Sequence, residues 1–309
     1  MNLRWGDFLL VVTLVAAAAT PALGQAATPA VGVASSYAPG AAPIPDFSGI
    51  WGHPSLGFEP PLSGPGPVLN KSRLPTGESD FDKLVGDYTN PILKPEAAEV
   101  VKKQGEISLS GVAFPDPGSQ CWPHGVPYIF WQFEMQMLQE PNKITILYFE
   151  GHQVRHVRMN EPHPARVTPS WYGDSVGHYE GDTLVIDTVG IKVGPFSMVD
   201  RFGTPHTEAL HVVERYRLLD FEAAKEAQER GEKENRRVPQ WAVDPNYKGK
   251  GLQLQFTVED EGVFTMPWTA GITYRRALGE WPEYVCTENR HEYYSGRDTA
   301  VPTADKPDF

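Results

Sequence analysis

Residues 169–191 read PSWYGDSVGHYEGDTLVIDTVGI, and this stretch decides the fold class. Glu180-Gly181-Asp182 is a turn signal between a segment bearing Trp171, Tyr172, His178 and Tyr179 and a β-branched run from Thr183 to Val189. The reading is a β-hairpin in the wall of a barrel. In its second strand Leu184, Ile186 and Thr188 share one face, and Val185, Asp187 and Val189 share the other. Asp187 therefore falls on an apolar face.

Working outward, the same period-two texture recurs. Strands are expected at 133–138, 143–150, 152–159, 209–217, 252–259, 264–268 and 271–276. His152, Val154, His156 and Arg158 share a face opposite Gln153, Arg155, Val157 and Met159. Leu210, Val212, Glu214 and Tyr216 oppose His211, Val213, Arg215 and Arg217, so Glu214 lies among apolar neighbours. Only two helices are expected. Pro95–Gln104 has proline in its first turn and Gly105 after its end. Asp220–Lys233 is charged and alanine-rich, with Asp220 as N-cap and a solvating role. Many strands, short turns and few helices argue for a mainly β fold, an antiparallel barrel or sandwich. Residues 53–90, rich in proline and glycine, should wrap the surface as an extended loop.

The N-terminus combines Arg4, an apolar run at 8–19 and Ala22-Leu23-Gly24, the pattern of a secretory signal peptide over residues 1–24. Residues 25–45 read as a flexible leader, 46–296 as one barrel domain and 297–309 as a loose tail. A formal net charge of −12 disfavours nucleic acid and anionic lipid, so no nucleic acid and, after signal cleavage, no membrane is expected as a partner. The expected compartment is periplasmic or extracellular. There a disulfide between Cys121 and Cys286 is the default, with two buried thiols as the alternative.

Two resemblances follow from quoted motifs. The opening DFSGIWG, with its Gly-x-Trp, resembles the start of lipocalin-like, or calycin, barrels, in which the tryptophan plugs one end. Further motifs are DFSGIW at 46–51, CWPHGVP at 121–127, Arg155 followed by His163-Pro164, and WYGDSVGHYEGDTLVIDTVG. PHTEALHVVERY at 205–216, MPWT at 266–269 and EYVCTEN at 283–289 complete the set. The set resembles a family of exported bacterial proteins without an assigned activity, and the resemblance implies compartment and integrity of the domain. Against its pattern, residues 223–247 read as an insertion.

The chain lacks the nucleophile elbow, the Ser-x-x-Lys pair and the phosphate-binding loops, and Ser175 in GDSVG precedes a strand where an elbow precedes a helix. General acid–base chemistry remains. The expected function is that of an exported, cofactor-independent lyase, isomerase or hydrolase acting on a small, largely apolar or aromatic molecule in a barrel cavity. The alternative is a non-catalytic periplasmic small-molecule binding protein. His178 and His206 are the expected acid–base groups, Glu208 or Glu214 their orienter, and Arg155 an oxyanion or carboxylate clamp. His163, Trp171, Tyr172 and Trp268 would contact the substrate. His163, His178 and His206 could supply a zinc site with an open position, but no metal and no cofactor is expected.

Overall fold

Alternation of buried and outward side chains along nine strands closes a barrel. The structure, a computed structural model, describes residues 44–54, 57–112, 116–234 and 243–277, with Gly279 and two short strands near the C-terminus. The wall comprises β1 (Gly49–Gly52), β2 (Glu134–Gln139), β3 (Lys143–Tyr148), β4 (Gln153–Met159), β5 (Asp174–Glu180), β6 (Thr183–Val189), β7 (His211–Leu219), β8 (Gly251–Glu259) and β9 (Trp268–Arg276). Neighbours pair in chain order, and β1 closes on β9. Two helices, α1 (Pro95–Leu109) and α2 (Phe221–Glu234), lie between wall strands in sequence, and β10 (Glu292–Tyr293) pairs with β11 (Arg297–Asp298).

The mainly β barrel is as read from the sequence, with one correction. A fully antiparallel barrel needs an even number of strands, because an odd number leaves its first and last strands running the same way. Here the parity is restored by a single parallel seam, Arg158↔Val176 and Met159↔Gly177 between β4 and β5. Residues 160–173 are the crossover this seam requires.

Side chains fill the interior. Met137, Ile146 and Arg155 form one inward row across β2–β4, and Ile186, Glu214, Phe256 and Ala270 another across β6–β9. All of these are buried to 3 % exposure or less. Trp51 is sealed at its end of the wall by Arg276, whose guanidinium lies 4.2 Å over the ring and donates to the Ser48 carbonyl. Gly49 makes this possible. It sits at φ 124°, and a Cβ there would lie 1.5 Å from Arg276 Nη1.

Other boundaries moved for physical reasons. Helix α1 runs past Gly105, which is buried against Val85 and serves close packing instead of a stop. Pro267 has no N–H for a ladder, so β9 starts at Trp268 and Phe264 makes only an isolated bridge to Leu93. Helix α2 does more than the solvating role its charged sequence predicts. It buries Ala224, Ala227 and Gln228, and Gln228 donates to the Thr273 carbonyl at 3.1 Å. The 53–90 segment wraps as expected but also contributes Phe58, Val68 and Phe81 to the core. The signal peptide, the leader up to residue 43, residues 299–309 and Cys286, the expected partner of Cys121, lie outside the described residues.

Candidate functional site

Strand phase places Arg155 and Glu214 inside the barrel, as the sequence suggested. Arg155 Nη1 donates to Glu214 Oε2 at 3.0 Å, and its Nε and Nη2 reach Ser175 Oγ and Thr188 Oγ1 at 3.1 and 2.7 Å. Tyr216 Oη donates to Glu214 Oε2 at 2.9 Å. Both charges are sealed, with 1 % and 0 % side-chain exposure. Burial works against the guanidinium's charge, but the adjacent carboxylate outweighs it and pushes the Arg155 pKa up. Desolvation likewise raises Tyr148 to about 12, and its hydroxyl takes no hydrogen bond among the described residues. Arg155, Glu214, Ser175, Thr188 and Tyr216 thus form a closed network whose members bond to one another. It stabilises one arrangement of the wall and offers no open face to a substrate.

The expected site residues do not assemble around it. His178 projects outward from β5 and pairs with Glu180 at 3.1 Å, half exposed. His206 is buried in the loop before β7, where it contacts the Thr207 carbonyl at 3.1 Å and burial lowers its pKa. Glu208 is exposed. Trp171 packs on Trp122 and under Lys192, and it lines with His206 a hollow of only about 10 Å³. Tyr172 donates to Gln153 Oε1 at 3.1 Å, and burial pushes its pKa up to about 12. Trp268 is an inward core residue against Phe256 and Phe264.

His163 does gather partners, from the outer surface. Its Nδ1 lies 2.6 Å from Asp174 Oδ2 and its Nε2 2.9 Å from Asp187 Oδ1. His211 Nε2 approaches both Asp187 oxygens at 3.1 Å, and its Nδ1 is 3.6 Å from Glu259. Asp187 thus lies on the outer face, and its neighbours on that face are the apolar Val176, Val185, Val189 and Val213. Hydrogen bonding to His211 leads the effects that hold its carboxyl below the usual range, and the same bond leads those that raise His211. Strand phase showed Asp187 and His211 each pointing away from Thr188 and Val212. Their meeting depends on the β6–β7 register, which the long 190–210 connection hides.

A cleft of about 460 Å³ opens on the same outer face, over β7–β9. Its floor includes Val213, Arg215, Gln253, Gln255, Thr257 and Thr269; α2 contributes Ala227, Arg230 and Gly231, and the segment Glu59–Leu62 forms a rim. Asp187 pairs directly with Val213 and His211 with Glu259, so the imidazole–carboxylate chain borders the cleft by one outward row. Glu59 is its notable carboxyl. It accepts from the Thr273 N–H and Oγ1 at 2.8 and 3.0 Å, yet burial prevails and pushes its pKa up to about 7. Sequence reading missed it, because Glu59-Pro60-Pro61 carries no periodicity.

A second polar group lies at the barrel end near Gln153. His124 is buried, takes a contact from Gln132 Nε2 at 2.9 Å, and is driven down to about 4 by burial. Burial raises nearby Glu150 to about 7 against the attraction of Arg201. The hollow beside Arg201, between Trp131, Phe58 and Asp200, measures about 20 Å³, room for little more than a water molecule. Size favours the outer cleft as the candidate site. No family model, curated protein or solved structure matches this chain.

Proposed function

We propose that this protein binds a small amphipathic molecule in the outer cleft beneath α2. The supporting observation is the cleft itself: about 460 Å³, in the range of small-molecule sites, on a barrel whose interior is packed. Its chemistry supports a mixed ligand. Gln253, Gln255, Thr257 and Thr269 offer hydrogen bonds, while Pro60, Pro61, Leu62 and Val213 offer apolar contact. Glu59, raised to about 7, presents a carboxyl able to donate or accept near neutral pH. This reading is the binding-protein alternative with its ligand moved from the interior to the outer wall. Export to an oxidising compartment, and with it a Cys121–Cys286 bond, is part of the proposal and rests on the N-terminal sequence alone.

A ligand-observed NMR screen of small polar and aromatic compounds tests it, run in parallel on the wild type and Gln255→Trp. Gln255 is exposed and outward, so the indole fills the cleft without entering the core. Hits that vanish in the variant support the site. Hits that persist, or no hits in either protein, overturn it.

A further inference from the structure

The outer cleft carries a guanidinium at each side, Arg215 and Arg230, in a chain whose formal net charge is −12. Register lays out its floor. Arg215 of β7 lies opposite Gln255 of β8, Gln255 opposite Gly271 of β9, and Gly271 opposite Glu59 of the rim segment. This row crosses three strand spacings of about 4.8 Å each, roughly 14 Å in all. At its far end α2 supplies Arg230, next to Gly231, whose added Cβ would lie 3.1 Å from Glu59 Cγ. Gly271 puts no side chain on the row, so the floor between Gln255 and the rim is open.

We propose, on the reading that this cleft binds a small amphipathic molecule, that the ligand is an organic monocarboxylate. Its carboxylate sits on Arg215 and Gln255, and its apolar body runs along the floor to Pro60, Pro61 and Leu62.

Three physical points carry the assignment. The first is the head group. Among the described residues Arg215 is engaged only through Nη1, by Glu180 at 2.7 Å. Its Nε and Nη2 are left to present the paired N–H groups that a planar carboxylate accepts. Because Glu180 already stands at this guanidinium, a monoanion suits it better than a phosphate dianion.

The second is the charge of the lining. Glu59 is the acid on it, and burial pushes that carboxyl up to about 7. Near neutral pH it therefore offsets only part of the charge of the two arginines. Arg230, paired with Glu226 at 2.8 Å and facing Glu59, adds to the field without taking the head group.

The third is the polarity gradient. Leu62 is 87 % exposed, beside two prolines and at the opposite side of the floor from Arg215. An alkyl or aryl body laid against it buries apolar surface that the fold leaves in water.

The test titrates octanoate, octanamide, octylamine and butanoate into the wild type and into Arg215→Gln, Arg230→Gln, Leu62→Ser and Gln255→Trp. Octanoate should bind the wild type at least roughly tenfold tighter than octanamide or octylamine, the scale of a charged hydrogen bond. Arg215→Gln should erase that preference. Arg230→Gln, which removes only a screened charge, should lower octanoate affinity by no more than about threefold. Leu62→Ser should weaken octanoate more than butanoate. Arg215 and Arg230 are about half exposed, so both variants should keep the fold, which thermal unfolding verifies. An amide or amine that matches octanoate at a Gln255-dependent site overturns the carboxylate assignment and leaves the cleft reading standing. An acid preference that survives Arg215→Gln overturns the placement of the head. If none of the four compounds binds while the wider screen yields Gln255-dependent hits, the ligand class is wrong; if that screen yields none, the cleft reading falls with it.

Discussion

At Gly49 a single residue type is imposed twice, once by a backbone at φ 124° and once by the Arg276 guanidinium where a Cβ would go. Gly49→Ala should cost about 2–4 kcal/mol, from about 1–3 kcal/mol of backbone strain plus loss of the stacking on Trp51. Thermal unfolding measures it. Arg276→Ala made in that background should add less than it does in the wild type, because the stack is already broken. The Arg155–Glu214 pair allows a second residue-level forecast. Arg155→Met alone strands a buried carboxylate and should cost about 3–5 kcal/mol, whereas Arg155→Met/Glu214→Leu should recover most of the loss. Denaturant titration of the three proteins checks this, and a double variant no more stable than the single would refute it. The inward phase of both residues was legible, since alternation on a strand fixes the face. Which outward residues touch was not. His163 reaches Asp187 from a crossover that has no period, and Asp187 meets His211 through a register set by residues 190–210.

Among the elements, the strap 59–62 and helix α2 owe their placement to close backbone approach. The Glu59 carboxyl is flanked by Gly231 of α2 and by Gly271 of β9, whose added Cβ atoms would lie 3.5 and 3.8 Å from its oxygens. Its pKa is raised from 4.5 to about 7. The folded protein therefore holds this proton where the unfolded chain has released it. That contribution to stability is fully present below about pH 4.5 and is lost as pH rises through about 7. At 1.36 kcal/mol per unit the loss is at most ~3 kcal/mol. Glu59→Gln mimics the neutral acid, so its stability relative to wild type should climb between pH 5 and 8. Urea unfolding at several pH values measures the difference, and a constant difference would refute the assignment. Glu150 and Asp200, raised to about 7 and about 6, act in both proteins and cancel in this comparison. Sequence patterning located α2 to within a residue at each end. It misjudged the role, because alanines at 224 and 227 signal helix formation equally well on a buried or an exposed face.

For the whole molecule the governing fact is that nine strands have closed around a filled interior, while the cleft of about 460 Å³ opens on the outside of the wall. A barrel could be read from hairpin signals and alternation; whether it encloses a cavity depends on shear and side-chain volume, which no local pattern reports. Two substitutions separate the interior from the wall. Ile146 is fully buried in the row with Met137 and Arg155, and Ile146→Ala should cost about 2–5 kcal/mol by leaving a cavity. If ligand binds outside, its affinity for the folded Ile146→Ala protein should stay within about twofold of wild type. Gln255→Trp should do the reverse, changing stability by no more than about 0.5 kcal/mol, as exposed positions generally do, while removing binding. Calorimetric titration of a screened ligand into both, beside thermal unfolding, reads all four quantities. Should Ile146→Ala weaken binding and Gln255→Trp spare it, the ligand lies inside the barrel, and the packed rows of β2–β9 must open to admit it.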